Sequence, residues 1–113
     1  MWRATLVLAL LAACSSGSSD DLQYIKQARS LGAEWALVNE QASQNKLTPT
    51  YVHSMHIWLR EQLQESSTSL AQLRSPYGEE IEALIHEPDN APPERLRAHV
   101  KKLKEIEDRL ESA

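Results

Sequence analysis

The chain has 113 residues, with 12 Lys and Arg against 16 Asp and Glu residues and a formal net charge of −4. This length allows one domain with a modest core, and the acidic balance argues against a nucleic-acid partner, because neutralising phosphates requires clustered Lys and Arg. Three Gly, no Phe and abundant Ala, Leu, Gln, Glu and Arg favour helix over sheet.

The first thirteen residues have the pattern of an export signal. Arg3 supplies one positive charge, and residues 6–13 carry no polar side chain. This run is far shorter than the roughly 20 apolar residues that a membrane-spanning helix needs, so we expect an export signal rather than an anchor. Small residues lead from it into Cys14, which is the only cysteine of the chain and therefore has no partner for a disulfide within it.

The tetrapeptide Leu11-Ala12-Ala13-Cys14 resembles the lipobox of bacterial lipoproteins. The resemblance implies a signal peptide over residues 1–13 and acylation of Cys14 with lipid such as palmitate, and no other cofactor is expected. Several acyl chains hold a protein stably where one chain holds it only reversibly. Because Ser15 rather than Asp follows the cysteine, the resemblance implies sorting to the outer membrane, with the domain facing the periplasm. The alternative is an ordinary cleaved signal in which the cysteine occurs by chance.

Residues 14–19 are predicted to be a lipidated flexible tether, because this stretch consists of small and polar residues. The helical domain is predicted over residues 20–113, and its first helix over residues 20–43, with Ser19 or Asp20 as the N-cap. Three small residues recur at intervals of four in this helix, where a neighbouring helix would be able to approach closely: Ala28, Gly32 and Ala36.

Two cap-and-proline pairs, Thr48-Pro49 and Ser75-Pro76, predict the starts of the next two helices. The second helix is predicted to run to about Arg74, with a weak point at residues 66–69, where hydroxyl side chains compete for the backbone. A short third helix is predicted over residues 77–87. A connector at residues 88–93 precedes the fourth helix, which is predicted from Pro93 to about Glu111.

Apolar residues at helical spacing predict the buried face of each helix. Short connections favour antiparallel neighbours, so the predicted fold class is all-α, a small antiparallel helical bundle of three to four helices. The main apolar positions of the second to fourth helices are Val52, Met55, Leu59, Leu63, Leu70, Leu73, Ile81, Leu84, Ile85, Leu96, Val100, Leu103, Ile106 and Leu110.

A metal site is suggested by His53, Met55 and His56, since two imidazoles and a thioether suit a soft metal such as copper. A zinc site would need a further ligand, which His86 or His99 would supply only if the fold brought it near. The alternative is that Met55 belongs to the core and that the two histidines flank it on the partly exposed sides.

Two features suggest a surface for a partner. Trp35 and Trp58 are expected in the core, but the alternative is that one of them is exposed and anchors a partner, since Trp is enriched in binding hot spots. Basic residues also crowd the first half of the fourth helix, where they form either a solvated face or a docking surface for an acidic partner or anionic lipid: Arg95, Arg97, Lys101, Lys102 and Lys104.

No nucleophile elbow, glycine-rich phosphate loop or H-E-x-x-H motif occurs in the sequence, so we do not expect an enzyme. Three hypotheses remain. The first is a protein-binding adaptor or assembly factor of an envelope complex, in which a partner helix enters a groove near residues 66–69 or 88–93. The second is a periplasmic lipoprotein that binds a metal or another small ligand. The third is an inhibitor or immunity-type lipoprotein.

Overall fold

The computed structural model of the protein describes residues 17–113, so the predicted signal segment and Cys14 lie outside the described residues. Within this range no strand occurs, and the prediction of an all-α fold is confirmed. The four helices are α1 (Gly17–Ser43), α2 (Pro49–Thr68), α3 (Pro76–Ile85) and α4 (Pro93–Glu111). None of these helices has the length and apolarity that crossing a membrane demands.

Helix α1 packs antiparallel to both α2 and α4. Residues near its start contact the end of α4 and the segment just after α2, whereas residues near its end contact the start of α4 and the middle of α2. Such a reversed order of contacts is the signature of antiparallel neighbours. The contacts are the ion pairs Lys26–Glu111 and Glu40–Arg97 and the hydrogen bonds Asp21–Ala71 and Asn39–His56.

The core lies where the apolar faces of the four helices meet, and Trp35 is the largest fully buried side chain in it. Gly32 is buried on the same face of α1. A Cβ atom added there would lie 2.9 Å from Cγ2 of Val100 and 3.0 Å from Cδ2 of Leu84. The small residue therefore lets α3 and α4 approach α1, as the spacing of small residues predicted.

Both cap-and-proline predictions are confirmed. The hydroxyl of Thr48 accepts a hydrogen bond of 3.2 Å from the backbone N–H of Tyr51 at the start of α2. The hydroxyl of Ser75 accepts one of 3.1 Å from the N–H of Gly78 at the start of α3. These bonds satisfy N–H groups that have no partner within the helix.

The predicted end of α2 at Arg74 is wrong, because the helix ends at Thr68. Leu73, expected on the buried stripe, is 55% exposed. The carboxylate of Asp21 accepts hydrogen bonds from the N–H groups of Ala71 (2.7 Å) and Gln72 (3.0 Å), which supplies these donors with partners outside a helix. The run of hydroxyl residues before them weakens the helix, so the chain turns away at the point where the sequence predicted only a bend.

The predicted start of α1 at Asp20 is also wrong, because the helix begins at Gly17. The last three residues of the predicted tether are therefore helical, and Ser19 and Asp20 lie within α1 rather than at its N-cap. The acidic pair suggested a helix start, but Asp21 is 1% exposed and binds the segment between α2 and α3.

Candidate partner-binding surface

The two tryptophans of the described chain have opposite environments. Trp35 is 1% exposed, as predicted, but Trp58 is 45% exposed, so the expectation of a core position is wrong for Trp58. Trp58 directly precedes the fully buried Leu59, so it lies about 100° around α2 from the side that faces the core. Trp58 is therefore the exposed tryptophan of the alternative interpretation.

Trp58 belongs to a row of exposed side chains, which we name the outer stripe of α2. Tyr51, Trp58 and Glu65 are spaced seven residues apart, so they lie on nearly the same side of the helix. Ser54 and Glu61 fill the intervening turns, and all five residues are exposed. The stripe thus has an aromatic first half and an acidic second half. Ile57, 48% exposed, extends its apolar area.

The inner side of α2 takes part in a polar network around Trp35. Nε2 of His56 lies 2.7 Å from Oδ1 of Asn39. The guanidinium of Arg60 lies 5.1 Å from the ring centroid of Trp35 and donates a 2.7 Å hydrogen bond to the carboxylate of Asp89. This network holds the connector before α4 against α1 and α2, at one of the two places where we expected a groove to open.

Burial and the nearby Arg60 and His53 lower the pKa of His56, and Asp89 opposes them. The ring therefore favours the neutral form, in which a proton on Nε2 is donated to Asn39. One of the two imidazoles of the suggested metal site is thus already engaged within the fold.

Of the other groups of that site, His53 borders one cleft together with His56, whereas Met55 does not line it. His53 is exposed, whereas Met55 is half-buried and packs against the core. Residues two apart on a helix do not face each other, so Met55 and His53 point to different sides of α2. The potential further ligands are engaged elsewhere, since His86 contacts the carbonyl of Glu82 and His99 lies between two carboxylates. The metal site stays a prediction.

Within residues 20–113, the one group of three side chains close enough to hold a metal ion consists of Glu107, Asp108 and Glu111. Each of these carboxylates forms an ion pair with a Lys or Arg, so the cluster is neutralised by the protein itself. The pairs are Arg29–Glu107, Lys104–Asp108 and Lys26–Glu111.

The predicted basic surface on α4 is largely neutralised within the fold. Four of its five cations pair with carboxylates, and Lys101 alone has no ion pair in the described part of the chain. The potential for attracting an acidic partner is therefore weaker than the sequence suggests. The pairs are Arg95–Glu87, Arg97–Glu40, Lys102–Glu80 and Lys104–Asp108.

His99 contacts two of the carboxylates that pair with the basic surface of α4. Its Nδ1 lies against a carboxylate oxygen of Glu80, and its Nε2 lies 2.8 Å from one of Glu87. Both carboxylates come from α3 or the residues just after it, so the ring links α4 to α3. The histidine and the two carboxylates therefore hold α3 and α4 together, and neither ring nitrogen of His99 is free to contact a substrate.

A cleft of about 340 Å³ lies beside the Trp35 network, between the end of α1, the start of α2 and the connector. Its walls are mainly apolar and include Ala42, Val52, Ala91 and Pro93. Of the four polar residues at its edge, Asn39 and His56 are bonded to each other and Ser43 donates to the carbonyl of Glu40, so few polar groups are left to converge on the space as in a small-molecule site.

Sequence reasoning missed most of the outer stripe of α2. The seven-residue spacing of Tyr51 and Trp58, followed by Glu61 and Glu65, was the available signal.

Comparison with protein-family models, curated proteins and solved structures finds no match to this chain.

Proposed function

We propose that this chain is a small lipoprotein of the outer membrane, anchored through lipid on Cys14, whose helical domain faces the periplasm and binds a protein partner. In this role it acts as an adaptor or assembly factor of an envelope complex. The observation that carries the proposal is the outer stripe of α2, where Tyr51 and Trp58 are about half exposed. Tyr and Trp are enriched among the residues that dominate binding energy.

The polar clusters of the described chain support binding rather than catalysis. Asp21 is occupied by two backbone N–H groups and the hydroxyl of Tyr77, which donates at 2.7 Å. Burial, together with this hydrogen bond to Asp21, raises the pKa of Tyr77. His99 is occupied on both nitrogens. These groups hold helices together, whereas the exposed aromatic side chains of α2 are open to a partner.

The proposal is tested by crosslinking and affinity recovery of the full-length protein from membranes, compared with the Cys14→Ser variant and with an unrelated lipoprotein. Metabolic labelling with a palmitate analogue reports acylation in the same cells. We expect labelling at Cys14, an outer-membrane location and an envelope protein enriched over both controls.

Absence of labelling on the wild-type protein would contradict the lipoprotein assignment. Recovery of no partner above the unrelated lipoprotein would contradict the adaptor role. Recovery of an incoming toxin or a component of a transfer apparatus would instead support the inhibitor or immunity-type function.

A further inference from the structure

We infer that the outer stripe of α2 is the docking surface for a basic amphipathic helix of the partner. Apolar side chains of that helix pack on Tyr51 and Trp58, and its Lys or Arg side chains pair with Glu61 and Glu65. The inference rests on the proposed function and names the chemistry of the partner. The stripe spans fourteen residue steps, or about 21 Å at 1.5 Å per residue, which matches four turns of a partner helix.

The charges of α2 select a basic partner. Arg60 is the only Lys or Arg of this helix, and its guanidinium is taken up by Asp89 and by the carbonyl oxygens of Ile85 and Glu87. Glu61 and Glu65 form no ion pair with any described residue. The second half of the stripe therefore presents two uncompensated negative charges, and Lys or Arg side chains of a partner would supply the missing cations.

The aromatic half suits the same partner. An apolar residue of the partner helix packs on Tyr51 and Trp58, and an Arg or Lys next to it gains cation–π attraction over the exposed face of the Trp58 indole. Apolar anchors at helical spacing in a groove, with charges at the edge, are the usual form of helix recognition. One amphipathic basic helix thus satisfies both halves of the stripe.

A cleft beside the acidic half provides room for a long cationic side chain. It has a volume of about 380 Å³ and is bordered by Glu65, Tyr24 and Gln27. Ser66 in its wall carries a buried hydroxyl oxygen without a hydrogen-bond partner in the described part of the chain. A Lys or Arg side chain lying along this cleft would bring its charge to Glu65.

Two other occupants fit less well. A second copy of the chain that docked through its own outer stripe would set its acidic half against either the same half or the aromatic half, and in neither arrangement would a cation meet Glu61 or Glu65. An anionic lipid surface would repel both carboxylates. The basic helix is the occupant that leaves no charge of the stripe unpaired.

The test uses a labelled helical peptide of Lys and Leu as the probe, and an analogue of the same length with Glu in place of every Lys. Fluorescence anisotropy follows binding of each peptide to the full-length protein in nonionic detergent micelles, with empty micelles as the blank. The variants are Trp58→Ala and the double variant Glu61→Gln with Glu65→Gln. Circular dichroism verifies that each variant remains folded.

Matched controls lie elsewhere on the surface. Leu37→Ala removes an exposed apolar side chain from α1, where Leu37 is 50% exposed. The double variant Glu79→Gln with Glu105→Gln removes two exposed carboxylates of α3 and α4 that form no ion pair with described residues. It changes the net charge as much as the α2 double variant does.

We expect the Lys peptide to bind more tightly than the Glu peptide, and each α2 variant to raise its Kd by at least about fivefold, the effect of one of the stronger exposed ion pairs. The controls should change the Kd by less than about twofold. Equal weakening by both double variants would show that only net charge attracts the peptide, and would overturn the inference. Preference for the Glu peptide, or concentration-dependent dimers that Trp58→Ala abolishes, would also overturn it.

The membrane recovery experiment separates this inference from the proposed function. If an envelope partner is recovered equally by the wild-type protein and the α2 variants, the adaptor role stands and the docking surface is wrong. If no partner is recovered by the wild-type protein, the adaptor role itself fails.

Discussion

The indole nitrogen of Trp35 donates a 2.9 Å hydrogen bond to the backbone carbonyl of Asp89, which lies 54 residues further along the chain. The side chain of Asn39 donates to the same carbonyl at 3.0 Å and to that of Ala91 at 2.8 Å. Carbonyl groups in a connector have no helical partner, and leaving them buried and unpaired is costly. The largest core residue therefore also fixes the path of the chain between α3 and α4.

Substitution of Trp35 tests this relationship. Trp35→Phe removes the donor and part of the buried volume, so we expect the free energy of unfolding to fall by about 2 kcal/mol. The same change at the exposed tryptophan, Trp58→Phe, should alter it by less than about 0.5 kcal/mol. Urea unfolding followed by circular dichroism measures both. Equal losses for the two variants would show that Trp35 does not hold the connector.

Asp21 is predicted to be a strong stabilising residue, although it is a charged side chain near the start of the described chain. Asp21→Asn exchanges one acceptor oxygen for a donor that faces the N–H group of either Ala71 or Gln72, so we expect a loss of about 3 kcal/mol in the free energy of unfolding. Asp20→Asn, its exposed neighbour, should cost less than about 0.5 kcal/mol. If Asp21→Asn unfolds at the wild-type urea concentration, the contacts of Asp21 contribute nothing to stability.

The ion pairs between α1 and α4 should differ in strength according to their burial. Arg29 lies 2.6 Å from Glu107, whose side chain is 4% exposed, whereas Lys26 and Glu111 are 45% and 42% exposed. We expect Arg29→Met to cost about 2 kcal/mol, because it leaves a buried carboxylate with Lys104 alone. Lys26→Met should cost less than about 0.5 kcal/mol.

The pKa of Glu107 gives an independent readout of the same pair. Burial by itself would raise it, but the hydrogen bond and charge of Arg29, with Lys104, outweigh burial and lower it from 4.5. Arg29→Met should therefore raise the pKa of Glu107, which carbon-detected NMR titration of the carboxyl group reports. A Glu107 pKa unchanged by the substitution would contradict the assigned cause.

The lowered pKa of His56 predicts that the folded protein loses stability on mild acidification. Burial lowers the pKa of His56 in the folded protein from 6.5. Between pH 6.5 and this lower pKa, the unfolded state therefore binds more protons at His56 than the folded state does. Stability therefore rises with pH across this window, by at most about 1.4 kcal/mol per pH unit. Above the window the His56 contribution is constant.

The His56→Gln variant isolates this contribution from those of the other histidines. Urea unfolding of both proteins between pH 5 and pH 8 should show a smaller decline on acidification for the variant. His86→Gln serves as the control, since His86 is exposed and is not among the groups that shift the pKa of His56. A wild-type stability that declines no more steeply than that of His56→Gln would remove His56 as the cause.

Much of the fold was predictable from local signals. Thr48-Pro49 and Ser75-Pro76 marked helix starts correctly because a capping hydroxyl and a proline act within a few residues. The apolar spacing of α4 predicted its buried face, since Leu96 and Leu103 are fully buried. The spacing of small residues around Gly32 predicted a close helix contact for the same reason, namely that helical periodicity is local.

The errors came from contacts between residues far apart in sequence. Nothing near Leu70 indicates that Asp21, about 50 residues earlier, will bind the next two N–H groups, which lie beyond the end of the helix at Thr68. Similarly, the sequence of α4 shows a basic cluster but not that α1 and α3 bring carboxylates to it. The exposure of Trp58 depends on which side of α2 the other helices cover, so composition alone favoured the core.

The central claim is that this protein works by binding an envelope partner through the outer stripe of α2. Site-specific photocrosslinking in cells tests it directly, with a photoreactive amino acid placed at Tyr51 or, as the control, at exposed Leu37 of α1. We predict that position 51 crosslinks one envelope protein, and that both Cys14→Ser and Trp58→Ala reduce this crosslink. A crosslink at position 51 no stronger than at position 37, or one that Trp58→Ala leaves unchanged, would contradict the claim.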